Sequence, residues 1–277
     1  MIDWSDKWLL RFNKEKCKLL SINGWSNAKY YINSNSEQYE IGSVESEKDI
    51  GVTFDTALEF DIHINEKIKK ASSISAMIRQ SYRFLNAKAF LPLYKALVRS
   101  HLEYGNSVWC PYKMKYIDSI EQVQRRATKM LPGMDNLSYK ERLQKLKLPT
   151  LVYRRLRGDM IEVYKIIHGI YDMKVAPYLT MRSSETSRVL RGHNMYLLKG
   201  RSRKKLRSES FTQRVVNSWN SLPTDVVNAP SVNSFKNRID RFWNNQDIVY
   251  DHKSKLPYIS RPSINVQEVY SDLAIED

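Results

Sequence analysis

The chain has 277 residues, 42% of them hydrophobic, and only nine Gly and nine Pro, which argues against wholesale disorder and against a turn-rich all-β fold. Its two cysteines, Cys17 and Cys110, are too few for a disulfide scaffold, although a single disulfide between them stays open. The net charge is +15, but residues 1–60 carry −3 and the other 217 residues carry +18. This asymmetry favours a polyanion such as nucleic acid as partner of the later part, over a merely basic soluble protein.

The first residues predict a short helix followed by a strand. Asp3 can cap a helix in which Trp4, Trp8 and Phe12 recur every four residues. Residues 16–22 then alternate in a way that is compatible with a strand. The charged residues among these apolar positions are wrong for a signal peptide, and no apolar run of roughly eighteen residues exists that could cross a membrane.

Two more strands are predicted before Asp61. The polar stretch 23–37 is typical of a loop, whereas 39–44 and 49–54 have strand patterns. The four polar residues 45–48 between them suit a hairpin connection. We therefore expect the first sixty residues to be α+β.

From Asp61 onwards the apolar residues recur with helical spacing, so the fold class expected is mainly α. The first amphipathic helix is predicted to begin at Asp61. Further amphipathic helices are predicted over 117–130, 139–147, 150–171, 211–219 and 232–243, and Ser231 is predicted to cap the last of them. Residues 186–214 hold nine Lys and Arg against the single Glu209, which predicts a loop or β-hairpin with a basic surface. The polar tail after Asn245 is expected to be partly disordered.

Residues 93–105 form the segment around which we expect the helices to be organised. Its apolar side chains fall on two adjacent stripes, which are Leu93, Leu97 and Tyr104, and beside them Tyr94, Val98, His101 and Leu102. A helix that is apolar nearly all round needs neighbours on several sides, so we expect it to be buried. His101 is expected to be a hydrogen-bonded core residue, because the five histidines show no metal-ligand spacing.

Seven sequence blocks occur in a fixed order along about residues 4–243. They are 8–20 with the run Phe12-Asn13-Lys14-Glu15-Lys16-Cys17, 48–55 with 58–64 behind it, 93–111, 120–129, 148–151, 155–161 with 164–166, and 211–223 with 229–236. In this order they resemble the reverse transcriptase of non-LTR retrotransposons of the jockey-like LINE class. By that resemblance, 8–20 is similar to the motif after the catalytic turn, and 49–54 is similar to the primer-grip motif.

The resemblance implies a division of the chain into four regions. Residues 1–60 would be a palm remnant at the end of the reverse transcriptase domain, and 61–180 a helical thumb-like region. Residues 181–245 would hold the basic loop and the C-terminal helices, and 246–277 a flexible tail. The fold expected is a small α+β palm remnant followed by helices.

The resemblance also implies an activity that this chain is not expected to have alone. These polymerases use a Tyr/Phe-x-Asp-Asp turn and an upstream Asp to hold two Mg²⁺ ions. The chain contains no Asp-Asp dipeptide and begins where that turn would already have passed. We therefore expect no cofactor here, with Mg²⁺ only in the intact RNA-directed DNA polymerase. The expected partners are template and primer, RNA and DNA, and the missing N-terminal polymerase portion, in the nucleus and cytoplasm.

Several residues are candidates for contacts to template and primer. Lys16 and Lys18 could reach a nucleotide's phosphates, although a solvated strand edge is favoured for both. Gly51 could let a primer strand come close, or be an ordinary strand glycine. The basic face could follow a phosphate backbone through Arg125, Arg126, Lys129, Arg154, Arg155 and Arg157, and through the loop residues Arg201, Arg203, Lys204, Lys205 and Arg207.

Two features keep other interpretations open. Arg154, Arg155 and Arg157 oppose the dipole at the start of their predicted helix, so something other than helix stability should keep them there. Lone carboxylates such as Glu121 are expected to be solvated or paired with Arg, so no hydrolase is predicted. The alternative function is a non-catalytic helical protein-interaction module, derived from such an element, whose basic surface binds an acidic partner. A relic without function is a third possibility.

Overall fold

In a computed structural model, the chain is described over residues 2–10, 12–22, 28–34, 37–82, 84–182 and 193–254. It is mainly α-helical with a small α+β part at the N-terminus, which confirms the predicted fold class. Its contacts divide it into two compact units, Met1–Asp159 with Ser202–Phe211 and Met160–Arg201 with Thr212–Asp277. The four regions drawn from the resemblance divide the chain elsewhere and stay predictions.

The N-terminal helix is shorter than predicted. Helix α1 covers Ile2–Lys7, followed by a 3-10 turn at Lys14–Lys16. The expected continuation to Phe12 is wrong, because Leu9 has a φ of +55° and the amide of Leu10 donates to the carbonyl oxygen of Ser5. A left-handed residue with a bond of this span closes a helix end.

The strands form three two-stranded sheets. Strand β1 (Lys18–Leu20) pairs in parallel with β4 (Gly42–Val44), β2 (Tyr31–Ser34) pairs antiparallel with β3 (Glu37–Glu40), and β5 (Ser46–Asp49) pairs antiparallel with β6 (Val52–Asp55). Strand β1 confirms part of the strand predicted over 16–22. The loop predicted over 23–37 is wrong at β2, since pairing with β3 overrides the polar character of that segment; residues 23–27 and 35–36 lie outside the described part of the chain.

The hairpin turns at Ile50–Gly51 and not at 45–48. Ile50 has a φ of +42° and Gly51 a φ of +81°. Two successive positive φ values are the geometry of the two-residue turn whose twist matches a hairpin. Glycine adopts such a φ readily, so the turn forms at Gly51, and the polar residues before it become strand β5.

The longer helices of the first unit begin within three residues of their predicted starts, whereas the helix Asn106–Trp109 was not predicted and the helix Lys205–Ser208 forms inside the stretch predicted as a loop or hairpin. The helices are α2 (Asp61–Ser81), α3 (Ala87–Leu93), a π-helix (Tyr94–Arg99), α4 (Ser100–Glu103), α5 (Asn106–Trp109), α6 (Met114–Lys129), α7 (Tyr139–Leu146), the start of α8 (Leu151–Ile167) and the short α9 (Lys205–Ser208). Local capping explains why α7 and α8 begin where predicted. Ser138 and Glu141 form a reciprocal capping box, and the Thr150 hydroxyl accepts a hydrogen bond from the Tyr153 amide.

The helix around residue 98 is buried on one face only, which corrects the expectation of burial all round. Tyr94, Val98 and Leu102 are fully buried, whereas Leu97 is 45% and Tyr104 52% exposed. The three buried residues are spaced four apart and form one stripe that meets the core, while the side chains beside it face solvent.

The second unit has its own core, built on the end of α8 with α10 (Phe211–Asn220), α11 (Thr224–Val227) and α12 (Val232–Trp243). The Tyr164 ring stacks on Phe235 with centroids 4.5 Å apart, and its hydroxyl donates to the carbonyl oxygen of Ala229. The predicted helices at 211–219 and 232–243 are confirmed, and the Ser231 side chain caps α12 as predicted.

The predictions for the basic loop and the tail are only partly tested. Residues 193–204 are irregular apart from a single bridge between Leu197 and Met181, while 183–192 lie outside the described residues. At the start of the tail, Ile248 and Val249 are buried in a 3-10 helix, Asp247–Val249. Residues 255–277 are not described, so the partial disorder of the tail stays a prediction. Across the described part of the chain, no helix combines the length and the apolar character needed to cross a membrane.

Candidate nucleic-acid interface

The three arginines at the start of α8 are engaged inside the fold. Arg154 donates from Nε and Nη2 to the two carboxylate oxygens of Glu103, each at 2.8 Å. Arg155 is buried, and Arg157 is half-buried. Burial disfavours the predicted contact of Arg155 with a nucleic-acid backbone, which stays a prediction. The ion pair of Arg154 explains its unfavourable place at the start of a helix.

The basic residues of α6 divide into two kinds. The guanidinium of Arg125 lies 5.0 Å from the centre of the Tyr139 ring and is half-buried. Arg126 and Lys129 are exposed and have no carboxylate partner among the described residues. Only the latter two remain open to a ligand, while Arg125 stabilises the contact between α6 and α7.

The predicted loop residues Arg201, Arg203, Lys204, Lys205 and Arg207 are all exposed. Lys205 pairs with Glu209 at 2.9 Å, and the other four have no ion-pair partner within the described ranges. These side chains are thus exposed to solvent, and their contact with a polyanion stays a prediction.

The N-terminal candidates are less informative. Lys16 and Lys18 are exposed, which fits the solvated edge that was favoured for them. Gly51 faces a residue of its own chain, since a Cβ there would lie 3.2 Å from Cε1 of Tyr104, whose hydroxyl donates to the carbonyl oxygen of Ile50. The glycine is therefore explained by the turn and by this close approach.

The structure brings together a set of basic side chains that the sequence did not single out. We call Lys48 of β5, Lys67 and Lys70 of α2, and His101 of α4 the lysine cluster. The pKa of Lys67 is lowered by partial burial and by the charge of Lys48, and Glu66 is the carboxylate that opposes this effect. Partial burial, then Lys67 and Lys70, lower the pKa of His101. Like charges are thus held near one another on three elements.

Short contacts dock the hairpin against the helices and so place Lys48 near α2. The Thr53 amide donates to Nδ1 of His63 at 3.1 Å, and the Thr53 hydroxyl donates to Glu66 at 3.2 Å. Val52 is buried so close to Gly105 that a Cβ at 105 would lie 3.1 Å from its Cγ2. The cluster therefore stands on regular, packed elements.

His63 is the buried residue beneath the cluster. Its ring centre lies 5.2 Å from that of Trp109. Burial, and then the charge of Lys67, lower the pKa of His63 to about 4, so the imidazole is neutral near pH 7. Because Nδ1 accepts a hydrogen bond, the proton of the neutral ring is assigned to Nε2.

His101 departs from its prediction. It is half-buried and makes no hydrogen bond to the described residues, so the expected hydrogen-bonded core histidine is wrong. The core-facing stripe of its helix runs through Val98 and Leu102, which leaves His101 at the edge of that stripe. Lys67 and Lys70 were predictable as neighbours three residues apart on one helix, but Lys48 and His101 join them only through tertiary packing.

A second group of polar side chains is largely buried, with Glu121, Gln124 and Tyr94 buried and Tyr139 half-buried. Glu121 accepts hydrogen bonds from the Leu151 amide at 3.0 Å and from the Tyr139 hydroxyl at 2.5 Å. Gln124 donates to the Tyr139 hydroxyl and accepts from that of Tyr94. Burial, and then Glu121, raise the pKa of both tyrosines, so both hydroxyls keep their protons. We call these residues the Glu121 network.

The Glu121 network corrects the expectation of a solvated or Arg-paired carboxylate. Its polar groups satisfy one another and the start of α8, so the network connects α6, α7 and α8. Among the described residues, no group of three His, Cys, Asp or Glu side chains is placed to hold a metal ion.

Compared with known proteins, the chain matches no family model, no curated protein and no solved structure. Its resemblance to non-LTR reverse transcriptases therefore rests on the sequence blocks alone.

Proposed function

We propose that the chain binds nucleic acid as a C-terminal portion of a non-LTR retrotransposon RNA-directed DNA polymerase, contributing to the grip on template and primer without catalysis. The observation that carries the binding is the lysine cluster. Lys48 pairs with Thr53 across the hairpin, and the Thr53 hydroxyl donates to Glu66 of α2, the helix that also carries Lys67 and Lys70. The exposed run Arg201, Arg203, Lys204 and Arg207 adds further positive charge without ion-pair partners in the described chain.

The electrostatics of the cluster support an anionic ligand. Holding Lys48 near Lys67 and half-burying Lys67 disfavours its charged form, as the lowered pKa of Lys67 indicates. A negatively charged backbone would relieve the repulsion and release its own counterions. Lysine acts as a point charge without the bidentate geometry of arginine, so we expect contacts to phosphates and little sequence specificity.

Apolar surface lies next to these charges. Ile50 at the tip of the hairpin is 81% exposed. The hydroxyl of the half-exposed Tyr104 donates a hydrogen bond to the carbonyl oxygen of Ile50. Exposed apolar and aromatic groups beside lysines suit the sugars and bases of a nucleic acid strand. Ile50 lies in the same hairpin as Lys48, and Tyr104 directly follows α4, the helix of His101.

The catalytic part of the proposal comes from the sequence. Without an Asp-Asp dipeptide, we expect this chain alone to have no polymerase activity, and we assign Mg²⁺ and the missing catalytic residues to the rest of the intact enzyme. Residues 1–60 would then be the end of the palm and the following helices the thumb. Such a protein would work in the nucleus and cytoplasm.

One observation favours the alternative of a protein-interaction module. In the second unit Ile170, Met173, Val175 and Tyr178 are all more than half exposed. Large apolar side chains this close together are typical of protein-binding surfaces. In a titration with nucleic acid, the proposed function predicts binding, whereas the protein-interaction module predicts none.

The test is the binding of a fluorescently labelled RNA–DNA hybrid, followed by anisotropy at several salt concentrations. The double variant Lys67→Glu/Lys70→Glu is expected to bind at least about tenfold more weakly and to lower the slope of log K against log salt by about 2, since about two phosphate contacts are lost. The matched control is Lys88→Glu/Lys145→Glu, the same charge change at two exposed lysines of α3 and α7.

Two outcomes would contradict the proposal. If the wild-type chain binds no hybrid near physiological ionic strength, the nucleic-acid function is wrong. If both double variants weaken binding equally, net charge rather than the lysine cluster is responsible, and the proposed site is wrong.

A further inference from the structure

His101 is the member of the lysine cluster whose charge can change near neutral pH, because an imidazole has an ordinary pKa of about 6.5 while lysines stay protonated. It sits on α4, which packs against α2, at a half-buried position without a hydrogen-bond partner among the described residues. It therefore lies where a bound phosphate would meet it together with two lysines.

The charged groups around His101 can be named element by element. From α2, Lys67 and Lys70 act on it, and both are cationic. Arg99 of the preceding π-helix and Glu103 of α4 pair with each other at 3.4 Å, and Glu103 is also held by Arg154 of α8. Lys48 of β5 adds its charge next to Lys67. The carboxylate nearest in sequence, Glu103, is thus already engaged by two arginines.

We propose that His101 takes up a proton when a phosphate backbone occupies the lysine cluster, which makes nucleic-acid binding tighter as the pH falls. In the free chain, partial burial and then the charges of Lys67 and Lys70 disfavour protonation of the imidazole; a phosphate beside it reverses the local potential. The imidazolium then has two N–H donors for phosphate oxygens. This inference rests on the proposed function and adds a proton to its binding step.

The sign of the pH dependence follows from linkage. The pKa of His101 lies below 6.5 in the free chain, and a bound phosphate raises it. Between the two pKa values the complex holds one proton more than the free chain does, so affinity rises as the pH falls through this window and is flat on either side. A difference of about one pKa unit corresponds to roughly a tenfold change in affinity.

The experiment compares hybrid binding by the full chain at about pH 5.5 and about pH 8, at one low salt concentration, where the phosphodiesters stay fully charged and histidine changes its charge. The wild type is expected to bind about tenfold more tightly at the lower pH. His101→Gln is expected to lose this gain, so that its affinity changes little between the two pH values.

The matched control is His168→Gln, at a half-buried histidine of the second unit, which should keep the wild-type pH dependence. His63 does not interfere, because its pKa of about 4 lies below the range used. An NMR titration of the wild-type imidazole protons, with and without hybrid, measures the shift at His101 even if the His101→Gln chain folds poorly.

The results separate this inference from the proposed function. Hybrid binding in which His101→Gln keeps the wild-type pH dependence, or in which the pKa of His101 does not rise on binding, would overturn the proton coupling and leave nucleic-acid binding intact. Absence of hybrid binding at both pH values would overturn both.

Discussion

The lysine cluster and the Glu121 network belong to the same unit but treat their polar groups in opposite ways. In the network, Glu121 and Gln124 are buried, Tyr139 is half-buried, and each has a hydrogen-bond partner. In the cluster, Lys48, Lys67 and Lys70 are at least partly exposed and carry like charges. A satisfied network stabilises the fold, whereas charge left uncompensated at a surface is available to a ligand.

This comparison predicts that changes in the network alter stability and that changes in the cluster alter binding. The largest effect is expected for Glu121→Ala. Its removal leaves the Leu151 amide and the Tyr139 hydroxyl buried without their partner, so the free energy of unfolding should fall by about 3 kcal/mol. Urea denaturation measures it, and a loss below about 1 kcal/mol would contradict the importance of the network.

A change in pH is expected to have an intermediate effect on stability, because it changes the charge of His63, the histidine that binds the hairpin of the lysine cluster. The pKa of His63 is about 4 in the folded chain and about 6.5 when unfolded, so the unfolded chain binds more protons between these values. Stability is therefore complete above about pH 6.5 and falls as the pH drops towards 4, by at most about 1.4 kcal/mol per pH unit.

Urea denaturation at several pH values measures this dependence, and His63→Gln should flatten it within that window. A wild-type profile that stays flat between about pH 6.5 and 4 would show that His63 is not buried in its neutral form.

The smallest effect on stability is expected for Lys67→Met in the cluster itself. Methionine keeps the length of the side chain but removes a half-buried charge that lies near Lys48, so the free energy of unfolding should change by less than about 0.5 kcal/mol or rise slightly. Hybrid binding should nevertheless weaken several-fold. If Lys67→Met lowers the free energy of unfolding but leaves hybrid binding unchanged, the cluster serves stability and not binding, and the comparison between the two regions is wrong.

Most helices could be predicted because their signals are local. The start of α7 depends on Ser138 and Glu141, three residues apart, and the start of α12 depends on Ser231 and the amide of Ser234. Caps and apolar periodicity act within one or two turns, so a single sequence contains them. The position of the hairpin turn was predicted wrongly, because two signals compete there. The polar residues 45–48 suit a connection, but Gly51 permits the positive φ that the observed turn needs.

The candidate site was predicted less well than the fold. Charge counting found the exposed run that includes Arg203 and Arg207, since a long stretch without carboxylates has few partners to pair with. It could not tell that Arg154 would pair with Glu103 or that Arg155 would be buried. Which charges are compensated depends on residues that are distant in the chain.

By itself, the sequence determined that this protein is mainly helical, that its positive charge lies after residue 60, and where most helices begin and end. Those properties follow from composition and from interactions between residues a few positions apart. Only the tertiary structure decided that Lys48, Lys67, Lys70 and His101 meet, and that Glu121 is enclosed. Burial and long-range electrostatics arise from packing between elements, and the periodicity of one element does not specify its neighbours.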